Sequence, residues 1–397
     1  MLVFLFKGLI ESSKSWLNRA LIIQHYNPLL QVSGQSESED VKNTQLALAQ
    51  LQQGKKEFHL GEGGTTFRFF SLLVSRYPGT WILNASPRLL ERPQLELKSI
   101  LEQLGVDIIF ESQRVQLRSE GWKIPSRIFC QGNVSSQFVS GLILNAWNLP
   151  ESLDLQIQKP IVSEDYLEMT IEMVKRLQMN IKQTQDENYL KLHIEKSKQP
   201  VSAQPFIAEM DMSSAFSLSA AAVIAGHAEI QNWPNDSLQP DREFLNIFKR
   251  MKIPYLIQQS TLTVSQCESW SSCKENLNAT PDLFPVLAVL CGLGQGRSYL
   301  YGAQHLKSKE SDRMAKTIEL LSLCGFKTEI INDGLAIYGS SSTKDRTQSV
   351  LFNPDQDHRM AMAAGLLKLA GFNLTILNPE VVHKSYPHFW QDVGLSI

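Results

Sequence analysis

Long apolar runs are missing from this 397-residue chain. No stretch of about 18 apolar residues occurs, so no membrane span is expected. A surplus of one charge is missing too. Lys and Arg number 38, Asp and Glu 40, and the net charge is −2. No global basic field therefore argues for nucleic acid. Cysteine is scarce and odd in number: Cys130, Cys267, Cys273, Cys291 and Cys324, with no C-x-x-C pair. That fits free thiols in a reducing cytosol. A Walker A loop is missing, and no His/Cys cluster has zinc spacing. Gly292-Leu293-Gly294-Gln295-Gly296 lacks the dinucleotide-binding spacing and reads as a turn. Ser135 and Ser136 lack the context of a nucleophile elbow. Met1 to Ile10 is read as a buried first strand, because a small-residue cleavage site is missing.

What is present is a repeat. The length suits two domains, and 43% hydrophobic with 20% charged residues is ordinary for a globular protein. Two kinds of helix alternate. The first opens on a polar cluster and continues small and apolar all round, as buried helices do. These begin at Lys14, Thr65, Ser135, Ser213, Asp282 and Asp357. The second kind is amphipathic, beginning near Asp40, Glu91, Glu164, Asp241, Lys309 and His383. Pro93 is read as a first-turn proline of one of them. Each outer start follows an inner start by roughly 27 residues, and β-rich runs fill the intervals. Six strand–helix–strand–helix–strand units, three per domain, are the simplest arrangement.

Cations gather at these helix starts: Lys14 and Arg19, Arg68, Arg88 and Arg92, Lys309 and Arg313, Arg359, and Lys384. A helix dipole disfavours cations there and favours anions. Each cation alone reads as surface charge. As a set, on starts that repeat symmetry could bring together, they suggest a pocket for a multiply charged anion. The stretch Lys307 to Met314 is the densest example, read as the first turn of an outer helix with Glu310 and Arg313 on one face. His358 reads equally as an acid/base or a capping residue. Asp282 reads as an N-cap that, facing a pocket, could take a proton.

Nine motifs carry a resemblance. They are SKSWLNRAL, GEGGTTFRFF, SPRLLERP, GNVSSQF, MDMSSA, PDLFPVLAV, KSKESDRM, DHRMAMAAGLL and HKSYPHFW. In order and spacing they resemble the 5-enolpyruvylshikimate-3-phosphate (EPSP) synthases, over essentially the whole chain. The resemblance implies a two-domain inside-out α/β barrel of six βαβαββ units. It implies domains at 14–209 and at 1–13 plus 210–397, with hinges near 12–14 and 208–212. It implies transfer of an enolpyruvyl group from phosphoenolpyruvate to the 5-hydroxyl of shikimate 3-phosphate. Addition and elimination would release phosphate in the shikimate pathway, without metal or organic cofactor. A cytoplasmic monomer is expected, with no nucleic-acid or membrane partner.

The same resemblance assigns residues. Lys14, Ser15, Arg19, Ser135, Ser136, Gln137, Ser163, Asp282, His305 and Lys309 are implied at shikimate 3-phosphate. Lys14, Gly64, Arg88, Gln137, Arg313, Arg359 and Lys384 are implied at phosphoenolpyruvate. Asp282 resembles the base for the 5-hydroxyl proton. Glu310 and Lys309 look like the proton-handling pair, with Lys14 and His358 assisting.

Departures mark this chain. Glu62 stands where many members have Asn, and Phe69 where the best-known bacterial pattern has Pro. Glu164-Asp165 removes a cation after Ser163, and His305 replaces a common Asn. The lead before Lys14 is short and lacks the usual glycine, so abbreviated first strands are expected in the C-terminal domain. Two other readings stay open: a related transferase with another acceptor, such as UDP-N-acetylglucosamine, and a non-catalytic anion-binding paralogue.

Overall fold

The computed structural model describes residues 4–340 and 345–396. Met1–Val3, the outset of the expected first strand, lie outside the described residues. The chain divides into two compact units, Ser12–Ala208 and Met1–Glu11 with Glu209–Ile397.

In the unit Ser12–Ala208 the inner helices are Lys14–His25, Gly64–Ser75 and Gln137–Leu144, and they pack on one another. Gly64–Ser75 shows why such a helix sits inside. Phe67, Phe69, Phe70, Leu72, Leu73 and Val74 cover its whole circumference and are fully buried. Ser71 turns its hydroxyl back onto Phe67 O at 2.7 Å, so the helix has no wet face. The outer helices Glu39–Gln52, Leu95–Gln103 and Glu164–Arg176 are apolar on one side only.

Two repeats of this unit are complete. Glu57–His59 runs parallel to Gly79–Asn84, which pairs antiparallel with Arg114–Ser119, flanked by Asp107–Phe110. Ile128–Gln131, Leu153–Gln158, Tyr189–Ile194 and Ile181–Gln185 repeat that order. The first repeat is reduced to Val32–Ser33, parallel to Phe206–Ile207 from the unit's far end.

In the other unit Met212–Ala225, Phe284–Leu293 and His358–Leu369 are the inner helices. Every residue from Met212 to Val223 is buried, because Ala and Ser let neighbouring backbones approach closely. Phe4–Gly8 joins Gly226–Gln231 as a parallel strand, with Phe4 opposite Gly226. A Cβ on Gly226 would strike the Phe4 carbonyl, so glycine is required there. The expected shortening therefore falls elsewhere. Phe4–Gly8 is a full five-residue strand, and the short sheets belong to the first repeat of Ser12–Ala208 and to Val350–Phe352 with Leu374–Ile376.

Three local expectations fail. His383 opens no outer helix: it lies inside the 3₁₀ turn Pro379–Lys384, and only the short helix Phe389–Asp392 follows. Pro93 precedes Gln94, the cap of Leu95–Gln103, so it stands outside the helix. Lys309 does not open a helix either. Gln304–Ser308 is a 3₁₀ turn, Lys309 is extended, and the helix Arg313–Leu323 starts after Asp312, which accepts from Ala315 N at 3.0 Å. An N-cap carboxylate outcompetes a start four residues earlier.

Candidate active site

In Ser12–Ala208 the cations at helix starts meet protein partners. Lys14 is the first residue of its helix, and its Nζ lies 2.8 Å from Asp40 Oδ2, both side chains largely buried. Asp40 is held in turn: its carbonyl accepts from Thr44 and Thr66 hydroxyls at 3.0 Å. Arg19 is 2% exposed. It donates to Thr170 Oγ1 at 2.7 Å, Ser15 O at 2.7 Å and Tyr166 O at 3.3 Å. Burial pulls its pKa down to about 10. A guanidinium fixed by neutral acceptors keeps its full charge for an anion.

Ser135 accepts from Gln137 N at 3.3 Å, and Ser136 is buried at the head of Gln137–Leu144. Ser163 is the most telling of the hydroxyls. It holds φ 56°, is 6% exposed, and its Oγ has no hydrogen-bond partner among the described residues. A strained residue with an orphan hydroxyl is what a ligand contact looks like.

Gln137 links two elements. Its Oε1 accepts from Arg68 at 2.7 Å and its Nε2 donates to Thr65 at 3.1 Å. A Cβ on Gly64 would lie 3.2 Å from Arg92 Nη1 and 3.4 Å from Gln137 Oε1. Arg92 is 9% exposed. Arg88, by contrast, is 44% exposed and 3.7 Å from Glu91. Arg68 and Arg92, seen in the sequence only as members of the cation set, are thus the buried guanidinium groups around Gly64 and Gln137.

In the other unit one guanidinium gathers three carboxylates. Arg313, 1% exposed in its side chain, donates to Asp357 Oδ2 at 2.8 Å, Asp282 Oδ1 at 2.7 Å and Glu310 Oε2 at 2.9 Å. Arg359 Nη2 reaches Asp282 Oδ2 at 2.7 Å, and Lys384 Nζ stands 3.6 Å from Glu310 Oε1. Ser311 adds a bond to Asp357 Oδ2 at 3.0 Å. Burial alone would raise the Asp282 carboxyl, but the charges of Arg359, Arg313 and Lys309 outweigh it. They hold Asp282 well below the usual carboxylate range. His305 is pushed down to about 3 by burial, with Lys309 and Arg313 adding to it. Its Nε2 is buried with no hydrogen-bond partner among the described residues. His358 is buried beside Arg359 at the head of its helix, 1% exposed.

The structure thus brings Asp282, Glu310, Arg313, Arg359 and Lys384 into one network and sets Lys309 and His305 in its field. Three acids of these clusters escaped the sequence reading as site residues: Asp40, Asp241 and Asp357. Each opens a helix, and that signal is indistinguishable from capping until its partners are known. Asp241 is fully buried, accepts from Ser213 Oγ, and is pushed up to about 7 by burial and by the charge of Asp282.

The chain matches other proteins along its length. The profile of the family described as EPSP synthase (3-phosphoshikimate 1-carboxyvinyltransferase) matches residues 16–393. A 3-phosphoshikimate 1-carboxyvinyltransferase of Methanoculleus marisnigri is 31% identical over 343 residues, 85% of this chain and 79% of that protein. One of Bacteroides fragilis is 29% identical over 393 residues, 97% and 93%. The solved EPSP synthase of Acinetobacter baumannii has the same fold, with TM-score 0.75, 18% identity and 99% and 95% coverage. The enolpyruvyl transferase NikO of Streptomyces tendae shares it too, with TM-score 0.73, 12% identity and 98% and 93% coverage. Family profile, relatives and fold agree over nearly the whole chain, and the chain belongs to the EPSP synthase family.

Proposed function

We propose that this chain transfers the enolpyruvyl group of phosphoenolpyruvate to the 5-hydroxyl of shikimate 3-phosphate and releases phosphate, in the shikimate pathway. The observation that carries the reading is Asp282, a carboxylate clasped by two buried arginines in a chain of this family.

The roles follow from charge and geometry. Phosphoenolpyruvate carries a phosphate and a carboxylate. Arg313, Arg359 and Lys384 are the cations to receive them; Arg88 and Gly64 are assigned to the same ligand by the family resemblance alone. Shikimate 3-phosphate brings a second phosphate and a second carboxylate. Arg19, Lys14, Ser135, Ser136 and the unpaired hydroxyl of Ser163 are its contacts. Mutual repulsion of the anions makes preorganised cations the main source of rate. Lys14, Arg313, Arg359 and Lys384 are already paired with Asp40, Asp282, Glu310 and Asp357, whereas Arg19 is held by neutral acceptors. At those four cations an arriving anion therefore exchanges with carboxylates rather than filling an electropositive void. Asp282 takes the hydroxyl proton. Glu310, between Arg313 and Lys384, handles the proton at the methylene carbon, with Lys309 beside it. Addition then elimination completes the transfer. No disulfide joins the five cysteines among the described residues, which supports work in the cytoplasm; a monomer is proposed with it.

Phosphate release with shikimate 3-phosphate, compared with UDP-N-acetylglucosamine, tests the acceptor. Calorimetry of shikimate 3-phosphate alone tests the non-catalytic reading. Binding by folded protein without turnover would replace the proposal with that reading. Turnover with the nucleotide sugar alone would reassign the acceptor.

A further inference from the structure

The proposed chemistry asks Asp282 to accept a proton, yet its surroundings make it a poor base. Arg313 and Arg359 each donate to one of its oxygens at 2.7 Å. A carboxylate held so far below the working pH has little proton affinity to offer.

One of these clasps is incomplete. Arg359 Nε is buried and has no hydrogen-bond partner among the described residues. A second buried orphan has the complementary chemistry. Asp241 is 1% exposed; Ser213 Oγ donates to its Oδ2, and its Oδ1 has no partner among the described residues. The two groups feel each other's charge: Asp241 favours the cation at Arg359, and Arg359 favours the anion at Asp241. A donor without an acceptor and an acceptor without a donor thus share one buried neighbourhood. Each orphan carries a desolvation penalty that a bond between them would relieve.

We propose that Asp241 is a positioning residue: it receives the Arg359 guanidinium as Arg359 turns from Asp282 toward the phosphoenolpyruvate anion, which frees Asp282 to act as base. This rests on the reading of Asp282 as the base. The surroundings support the exchange. Asp282 is faced by Arg359 from the helix His358–Leu369, and by His305, Lys309, Glu310 and Arg313 from residues 305–313. Loss of one of its two arginine bonds raises its proton affinity while Arg313 keeps it in place. Asp241 is faced by Asp211 and Ser213 from the start of Met212–Ala225, by Asp282 and by Arg359. Burial pushes it up to about 7, so arrival of a guanidinium favours its anion near neutral pH, the proton leaving to solvent. One side chain thereby raises the basicity of one acid and lowers that of the other.

The test uses the full-length enzyme at saturating phosphoenolpyruvate and shikimate 3-phosphate. Phosphate release is followed across the acid and neutral range for wild type, Asp241→Asn and Asp282→Asn. A neutral amide holds the guanidinium less well, so Asp241→Asn is expected to lower kcat about tenfold or more. The acid limb of its kcat profile should move to lower pH, because Asp282 stays bound to Arg359. A purely structural role would reduce the folded fraction and leave that limb where wild type has it; an unmoved limb overturns the proposal. Full activity in Asp282→Asn would remove the base reading itself. A crystal structure of wild type with shikimate 3-phosphate and a phosphonate analogue of phosphoenolpyruvate decides independently of turnover. Arg359 Nε on Asp241 Oδ1 is expected; Arg359 still clasping Asp282 overturns the exchange.

Discussion

Arg313 donates from Nε to Asp357 Oδ2 at 2.8 Å, and neither side chain reaches solvent: they are 1% and 0% exposed. The same guanidinium serves Asp282 and Glu310, so stability and site geometry rest on one group. Replacing it by Met leaves Asp357 buried and uncompensated. Arg313→Met is expected to lose about 3–5 kcal/mol of unfolding free energy by urea denaturation. Arg313→Lys should not restore kcat/KM, because an ammonium cannot present the three-way fork. Wild-type stability in Arg313→Met would contradict this.

Much of the fold was legible in the sequence, for a definite reason. A segment such as Met212–Ala225 has no polar face, so it can only be internal, and six inner segments, each followed at roughly the same interval by an amphipathic one, announce the repeat. What stayed hidden depends on distant partners. Phe4–Gly8 pairs with Gly226–Gln231, and Val32–Ser33 with Phe206–Ile207, and nothing local in either strand specifies its mate. The start at Arg313 was missed because Lys309, Glu310 and Asp312 offer competing local signals, which the cap at Asp312 settles. Asp357 looked like a cap and is one, accepting from Arg359 N at 3.0 Å; its second role needs Arg313 from another helix.

Gly63 and Gly64 should respond differently to alanine. At Gly64 the new methyl meets only the ends of Arg92 and Gln137, which can yield. Gly64→Ala is expected to keep its Tm and raise KM for phosphoenolpyruvate roughly tenfold through misplacement of those groups. At Gly63 it would lie 2.6 Å from Asp40 Oδ1 and 2.9 Å from Thr66 Oγ1, in a network already bonded. Gly63→Ala should cost about 1–3 kcal/mol of stability. Equal effects in melting and kinetics would refute the contrast.

Arg88 separates function from stability. With 44% of its side chain exposed it contributes little to the fold. Arg88→Gln should change stability by no more than about 0.5 kcal/mol. A role in holding phosphoenolpyruvate would nonetheless raise KM by about tenfold or more, the loss of one charge-assisted hydrogen bond. Unchanged KM would transfer that role to the buried Arg92.

Asp241 makes a pH prediction. In the folded chain its carboxyl keeps a proton up to about 7, whereas the ordinary value is 3.8. Between those values the folded state binds more protons than the unfolded state, so stability falls as pH rises and levels off above the upper value. Asp241→Asn removes this dependence. The Tm of the variant minus that of wild type should grow from about pH 4 to about pH 8. His305 acts with the opposite sign. It is held neutral with its pKa near 3, so its contribution is present above 6.5 and fades as pH falls. The difference between variant and wild type, rather than either Tm alone, is therefore the readout. A difference that is constant with pH would contradict the buried, protonated Asp241.

Glu310 lies between Arg313 and Lys384, at 2.9 and 3.6 Å. Glu310→Gln keeps the shape and removes the proton-transfer group. It should leave KM for both substrates within a few-fold and lower kcat by about a hundredfold or more. A near-wild-type kcat would take Glu310 out of the chemistry.

Phosphorus NMR of the purified protein mixed with phosphoenolpyruvate and shikimate 3-phosphate tests the central claim most directly. The phosphoenolpyruvate resonance should fall while inorganic phosphate and the 3-phosphate resonance of a new 5-enolpyruvyl ether appear in equal amounts, and only with both substrates present. An unchanged spectrum from folded protein would contradict enolpyruvyl transfer as the function of this chain.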